Sequence, residues 1–139
     1  MYFLLDTSVL IDYIRDENSI VAHAVLRAID IGRCYISIVS IMELYKPNKD
    51  RSKVEEEVRK IYQVCERLNI RIVYITPNAQ KEAAKIVRKY YSNLGNGCIP
   101  DALIISCGIM RRAYVVTKDN AWSQVYHRVL TPEEVVRRF

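Results

Sequence analysis

Tyr2-Phe3-Leu4-Leu5-Asp6-Thr7-Ser8-Val9-Leu10-Ile11-Asp12 changes its period partway along. Its first four residues are apolar without a break, which is short for a helix and suits a strand buried on both faces. A carboxylate and two hydroxyls follow, and from Ser8 onward the apolar residues recur as they do in a helix. The stretch therefore reads as a strand that ends at Asp6 and turns at once into a helix. In open parallel α/β sheets the carboxyl ends of the strands are where ligands sit, which singles out Asp6.

The rest of the chain repeats that alternation. The first helix is expected from about Ser8 to Arg15. Asn18-Ser19 caps a second, carried by Ile20, Ala24, Ala28 and Ile31 and stopped by Gly32. Residues 34–37 read as the second strand. Ser37 or Ser40 opens a helix through Glu43, ended by Pro47. Val54, Val58, Ile61, Cys65 and Leu68 form the apolar stripe of a long helix whose other face is charged. Residues 70–75 are the third strand. Thr76-Pro77 starts a helix with Ala79, Ala83, Val87 and Tyr90 or Tyr91 on one side, broken at residues 93–97. Asp101 introduces another, through Leu103, Ile104, Cys107 and Met110. Residues 114–117 are the fourth strand, and a short helix after Asp119 holds Trp122 and Val125. Val129-Leu130 forms a fifth strand, and Thr131-Pro132-Glu133-Glu134 opens a last helix. Strands alternating with helices predict an α/β fold: a three-layer α/β/α sandwich around a mainly parallel central sheet, in a single domain over residues 1–139.

Composition narrows the function. At 139 residues the chain can bury a real core. No apolar run is long enough to cross a membrane, and the first residues lack the basic region and apolar length of a signal peptide, so a cytoplasmic location is expected. Cys34, Cys65, Cys98 and Cys107 show no paired spacing and no histidine at zinc-like distance; three lie in apolar patterns as core residues, and Cys98 falls in a loop where exposure is expected. The net charge of +5 and pI near 9.1 favour a polyanionic partner, although solubility alone explains a charge of this size equally well.

Against that basic background, four acids stand at telling places. Asp6, Asp101 and Asp119 each precede a helix and read equally well as N-caps. Glu43 lies inside the apolar stretch Ile38-Val39-Ser40-Ile41-Met42-Glu43-Leu44-Tyr45, where a carboxylate either faces water or is buried with a partner. Parallel strands bring Asp6 and Asp119 to one sheet edge, and the helix after Asp101 can start there too. Clustered carboxylates repel and take up protons unless a cation sits among them; an all-oxygen set suits Mg²⁺ or Mn²⁺. Thr7, Ser8 and Thr117 add hydroxyls that would orient ligands as a supporting shell. Neither His23 nor His127 accompanies a candidate nucleophile, and no glycine-rich loop is present to hold a nucleotide phosphate.

The chain resembles the PIN domain family, in particular the small VapC-like toxins of toxin–antitoxin pairs. The matching motifs are Leu5-Asp6-Thr7-Ser8-Val9-Leu10-Ile11-Asp12, Ser40-Ile41-Met42-Glu43-Leu44, Pro100-Asp101-Ala102-Leu103-Ile104 and Val116-Thr117-Lys118-Asp119. In order and spacing they cover nearly the whole chain. The resemblance implies endoribonuclease activity, with Asp6, Glu43, Asp101 and Asp119 as catalytic and metal-binding residues around Mg²⁺ or Mn²⁺. It also implies a homodimer and a separate antitoxin. One feature departs from the pattern: Ala121, not an aspartate, precedes Trp122.

The expected reaction is hydrolysis of an RNA phosphodiester by a metal-activated water, with Arg111, Arg112 and Lys118 the basic residues nearest in sequence to hold phosphates. Two other readings remain. A phosphoacceptor receiver domain needs its aspartate at the end of the third strand, which here ends Tyr74-Ile75-Thr76-Pro77. A catalytically silent PIN domain acting as an RNA-binding or scaffold module has no use for the packed acids.

Overall fold

The computed structural model describes residues 1–139. Its elements are β1 (Tyr2–Leu5), α1 (Thr7–Arg15), α2 (Ile20–Ile31), β2 (Arg33–Ser37), α3 (Ile38–Met42), α4 (Arg51–Leu68), β3 (Arg71–Val73), α5 (Pro77–Leu94), α6 (Cys98–Arg111), β4 (Tyr114–Val116), β5 (Val129–Leu130) and α7 (Pro132–Arg138). Two 3₁₀ turns, Gly95–Gly97 and Asn120–Gln124, complete them.

The five strands pair in the order β3-β2-β1-β4-β5, and every pairing is parallel. β1 is the central strand, so the chain builds outward on one side and then crosses to the other. Its side chains alternate between two cores. Phe3 and Leu5 join α1, α2, α4 and α7 on one face, while Leu4 joins α5, α6, Trp122 and Tyr126 on the opposite face. This is the expected α/β/α sandwich with an entirely parallel sheet. Gly108 is what lets α6 lie so close to the sheet, since a Cβ there would come within 2.4 Å of Val115 Cγ2.

Local signals set most boundaries. The Ser19 side chain accepts from Ala22 N–H at the start of α2, Thr76 from Ala79 N–H at the start of α5, and Thr131 with Glu134 forms a capping box on α7. Four expectations need correcting. β3 is shorter than residues 70–75. α3 stops at Met42, well before Pro47, so Glu43 is its C-cap rather than an internal helical residue. α6 begins at Cys98, because the first turn of a helix tolerates Pro100, and this buries Cys98 at 2% exposure instead of leaving it in a loop. On α5 Ala79, Ala83 and Ile86 are buried and Val87 and Tyr90 pack against the same core, with a kink at Tyr90, but Tyr91, like Met110 of α6, is exposed.

All four cysteines are buried and unpaired, and burial raises the Cys34 thiol to about 12 and Cys65 to about 11. They are protonated core residues. No helix is long and apolar enough to cross a membrane.

Candidate active site

The switch point of the sheet lies between β1 and β4. The register pairs Leu5 with Val116, so the next residues, Asp6 and Thr117, leave the sheet side by side. Asp6 N–H donates to Val116 O at 3.0 Å, which holds the two chain turns together.

Asp6 occupies the N-cap position of α1, yet its carboxylate caps nothing. Three hydroxyls claim it instead. Ser8 Oγ and Thr117 Oγ1 donate to Oδ2 at 3.1 and 3.0 Å, and Ser40 Oγ reaches Oδ1 at 3.1 Å. Thr7 does not touch Asp6; its N–H donates to Ser40 Oγ at 2.9 Å and its hydroxyl to Ser40 O at 3.3 Å. Thr7, Ser40 and Thr117 are buried, so this scaffold is fixed before any ligand arrives.

Asp119 does cap. Its Oδ1 accepts from Ala121 N–H at 3.0 Å, and its own N–H donates to Thr117 Oγ1 at 3.1 Å. The capping reading is thus physically true of Asp119, and its exposed carboxylate keeps one oxygen free of that bond. Asp101 is no cap: it lies in the first turn of α6, behind the N-cap Gly97. Gly97 keeps its surroundings open, for a Cβ there would stand 3.3 Å from Asp101 Oδ2. Glu43 enters from the end of α3.

A cavity of about 370 Å³ joins all four acids, together with Ser8, Asp12 and Trp122. Their electrostatics record the proximity. Burial and then the charges of Asp101 and Asp6 raise Glu43 to about 7, against the pull of Lys46. Burial also raises Asp101 to about 6; the Trp122 indole opposes this, and the charges of Asp119 and Asp6 add to it. The indole Nε1 of Trp122 is the one buried side-chain polar atom that closes no hydrogen bond. The cluster is therefore short of positive charge at its centre.

No three His, Cys, Asp or Glu side chains are close enough together to ligate one ion directly. A dication that keeps part of its water shell needs only one or two carboxylates in contact, and an all-oxygen donor set suits Mg²⁺ or Mn²⁺. On those terms the residues fit a hydrated ion.

Four cations, Arg15, Lys46, Lys49 and Lys118, also line the cavity, with Lys118 Nζ held 2.6 Å from Asp12 Oδ2 and Lys49 Nζ 4.0 Å from Glu57 Oε1. Of the phosphate-binding residues expected from sequence, only Lys118 is here. Arg111 and Arg112 end α6 before β4 begins, and are thereby carried to the opposite edge of the sheet. Ser40, Arg15, Lys46 and Lys49 escaped the sequence reading. Ser40 had a signal, being one helical turn before Glu43. So did Arg15, which continues the face Ser8, Asp12 of α1. Lys46 and Lys49 lie in irregular chain with no period to read.

Comparison with known proteins bears on the fold. The PIN domain family model matches residues 3–128. Among solved structures, a chain of VapBC2 from Rickettsia felis, bound to a DNA fragment from their promoter, is similar with a TM-score of 0.72 at 18% identity, covering 94% of this chain and 97% of that one. A chain of DNA-bound VapBC from Salmonella typhimurium gives 0.72 at 19%, over 95% and 98%. A toxin–antitoxin complex from Klebsiella pneumoniae gives 0.65 at 19%, over 93% and 96%. No curated protein sequence matches.

Proposed function

We propose, from the premise that this chain belongs to the PIN domain family, that it is a metal-dependent endoribonuclease and the toxin of a toxin–antitoxin pair. One observation carries the reading: acids from four separated segments line a single cavity, where burial, and then the neighbouring acids' charges, raise Glu43 and Asp101. Carboxylates so perturbed and gathered in one cavity are characteristic of a functional site, and a cation relieves them.

Asp6, Glu43, Asp101 and Asp119 would hold Mg²⁺ or Mn²⁺, in part through water. When bound, the ion supplies an activated water and neutralises charge that develops on the phosphate. The chain's own contribution is positional. Ser8, Ser40 and Thr117 fix both oxygens of Asp6, so its orientation costs nothing at the moment of reaction. Glu43, beside the other three acids in the cavity, is placed to accept a proton from water. Arg15, Lys46, Lys49 and Lys118 would seat the phosphates flanking the scissile bond.

The structural likeness to VapBC complexes supports an antitoxin partner. A homodimer completes the reading, and exposed apolar side chains such as Met42, Tyr74, Tyr91 and Ile99 are available to its interface.

The test is cleavage of structured RNA with Mn²⁺, with and without EDTA, beside Mn²⁺ titration by calorimetry. Cleavage is expected with the ion, and should disappear with EDTA and in Asp101→Asn. Cutting that persists under full chelation would overturn the metal. Absence of both cutting and Mn²⁺ heat would favour the silent scaffold.

A further inference from the structure

The opposite edge of the sheet, where the strands begin, has its own chemistry. β2 opens with Arg33 and β3 with Arg71. Arg112 lies just ahead of β4, and Arg128 immediately precedes β5. Because all pairings are parallel, these residues share one edge; Tyr2 is in register with Arg33, and Tyr35 with Arg71. The C-terminal ends of α6 and α7 bring Arg111 and Arg138 to the same place, where their guanidinium groups lie over Tyr35 and Tyr114 at 5.3 and 5.6 Å. Arg128 covers Tyr114 as well, at 5.2 Å.

None of these arginines is neutralised. The six ion pairs of the molecule all involve other residues. Compensation of helix dipoles accounts for cations in the last turns of α6 and α7, such as Arg111 and Arg138. It does not account for Arg33 and Arg71, which open strands, or for Arg128, which lies just ahead of one. Arg33 and Arg71 also face each other across a cleft of about 250 Å³ that includes Tyr35 and Asn69.

We propose that this edge binds the phosphate backbone of a single-stranded segment of RNA, through Arg33, Arg71, Arg111, Arg112, Arg128 and Arg138. Arginine presents a planar fork matched to phosphate, and stacking on Tyr35 and Tyr114 orders three of the forks before binding, which reduces the entropy lost. Tyr2, 41% exposed and 6.1 Å from the Tyr35 ring, offers a face to an unpaired base. The site is separate from the acid cavity. That its occupant is RNA rests on the nuclease reading; that it takes a polyanion does not.

The experiment measures binding of a fluorescein-labelled single-stranded RNA by anisotropy, in EDTA so that nothing is cut, across a salt series. The triple variant R33A/R71A/R128A is expected to bind at least about tenfold more weakly, and to lower the slope of log affinity against log salt by about 2, at roughly 0.7 per lost phosphate contact. The triple lysine variant should recover most of that slope, which guards against a folding defect. With Mn²⁺, the alanine variant should raise KM and leave kcat unchanged. Unaltered affinity and slope in the alanine variant would overturn the site, and a preference for duplex DNA over the RNA would overturn the assignment of its occupant. A protein that never cuts but loses binding in the alanine variant would refute the nuclease alone.

Discussion

Thr117 Oγ1 stands 3.0 Å from Asp6 Oδ2, across 111 residues of chain, and accepts from the Asp119 N–H at 3.1 Å. One buried hydroxyl thus ties two of the four acids to a single point. Thr117→Val keeps the shape and removes both bonds. A hydrogen bond to a charged group contributes roughly 1.5–3 kcal/mol, so chemical denaturation should show a loss in that range. Loosening a group that orients a metal ligand costs about 10–100-fold in activity or ion affinity, which cleavage kinetics would read. Full activity with unchanged stability would show that the hydroxyl orients nothing.

Glu43 should make the metal-free protein less stable as pH rises. Its folded pKa, about 7, exceeds its ordinary 4.5, so the folded state holds a proton that the unfolded state has released. Between those values stability therefore falls with rising pH, and Asp101 adds the same trend from 3.8 to about 6. In EDTA, Glu43→Gln is expected to melt above the parent at pH 8, and the difference should close near pH 4.5. Calorimetric scans at both pH values check this; a glutamine variant that melts lower at pH 8 would contradict it.

The same protons compete with the cation. Mn²⁺ affinity should rise with pH through the interval from about 6 to about 7 in which Asp101 and Glu43 ionise. Titrations in buffers of different ionisation enthalpy should show proton release on binding near pH 6 and less at pH 8. Affinity that does not change with pH would mean that these two carboxyls play no part.

Asp119 can be dissected because its cap and its charge are separable. Asp119→Asn retains an acceptor for Ala121 N–H and loses the charge, whereas Asp119→Ala loses both. The alanine variant should be less stable by about 1 kcal/mol and the asparagine variant close to the parent. Both should lose RNA cleavage. If the asparagine variant cuts normally, Asp119 is only a cap.

Gly108→Ala tests the packing beneath the site. The added Cβ would meet Val115 Cγ2 at 2.4 Å, between a helix and a strand that both bear on the cavity. Overpacking of this kind costs typically about 1–3 kcal/mol, visible as a shifted denaturation midpoint with an unchanged slope.

Much of this was legible because the signals are local. The change of period at Asp6 announces a strand end and a helix start, and Gly32, Ser19 and Thr76 act within a turn of where they lie. Glu43 was conspicuous as a charge among apolar neighbours. What failed was inference by nearness in sequence. Arg111 and Arg112 lie close to Asp119 along the chain, but β4 runs between them and delivers the two groups to opposite edges. Ser40 looked like a helix opener because its partner, Asp6, is 34 residues away. Lys46 and Lys49 lie in a segment whose path depends on tertiary packing, where no pattern could place them. Cys98 was misread because the start of α6 lies ahead of its proline.

The central place of β1 also has a temporal meaning. It leaves the ribosome well before β4, the partner that completes its pocket. Chains fold as they emerge, N-terminal portions first, so a nascent molecule carries Asp6 and Glu43 long before Asp101 and Asp119 can join them. The cavity is thus assembled late, when residues 101–119 leave the ribosome, and a chain stalled before them holds no complete acid cluster.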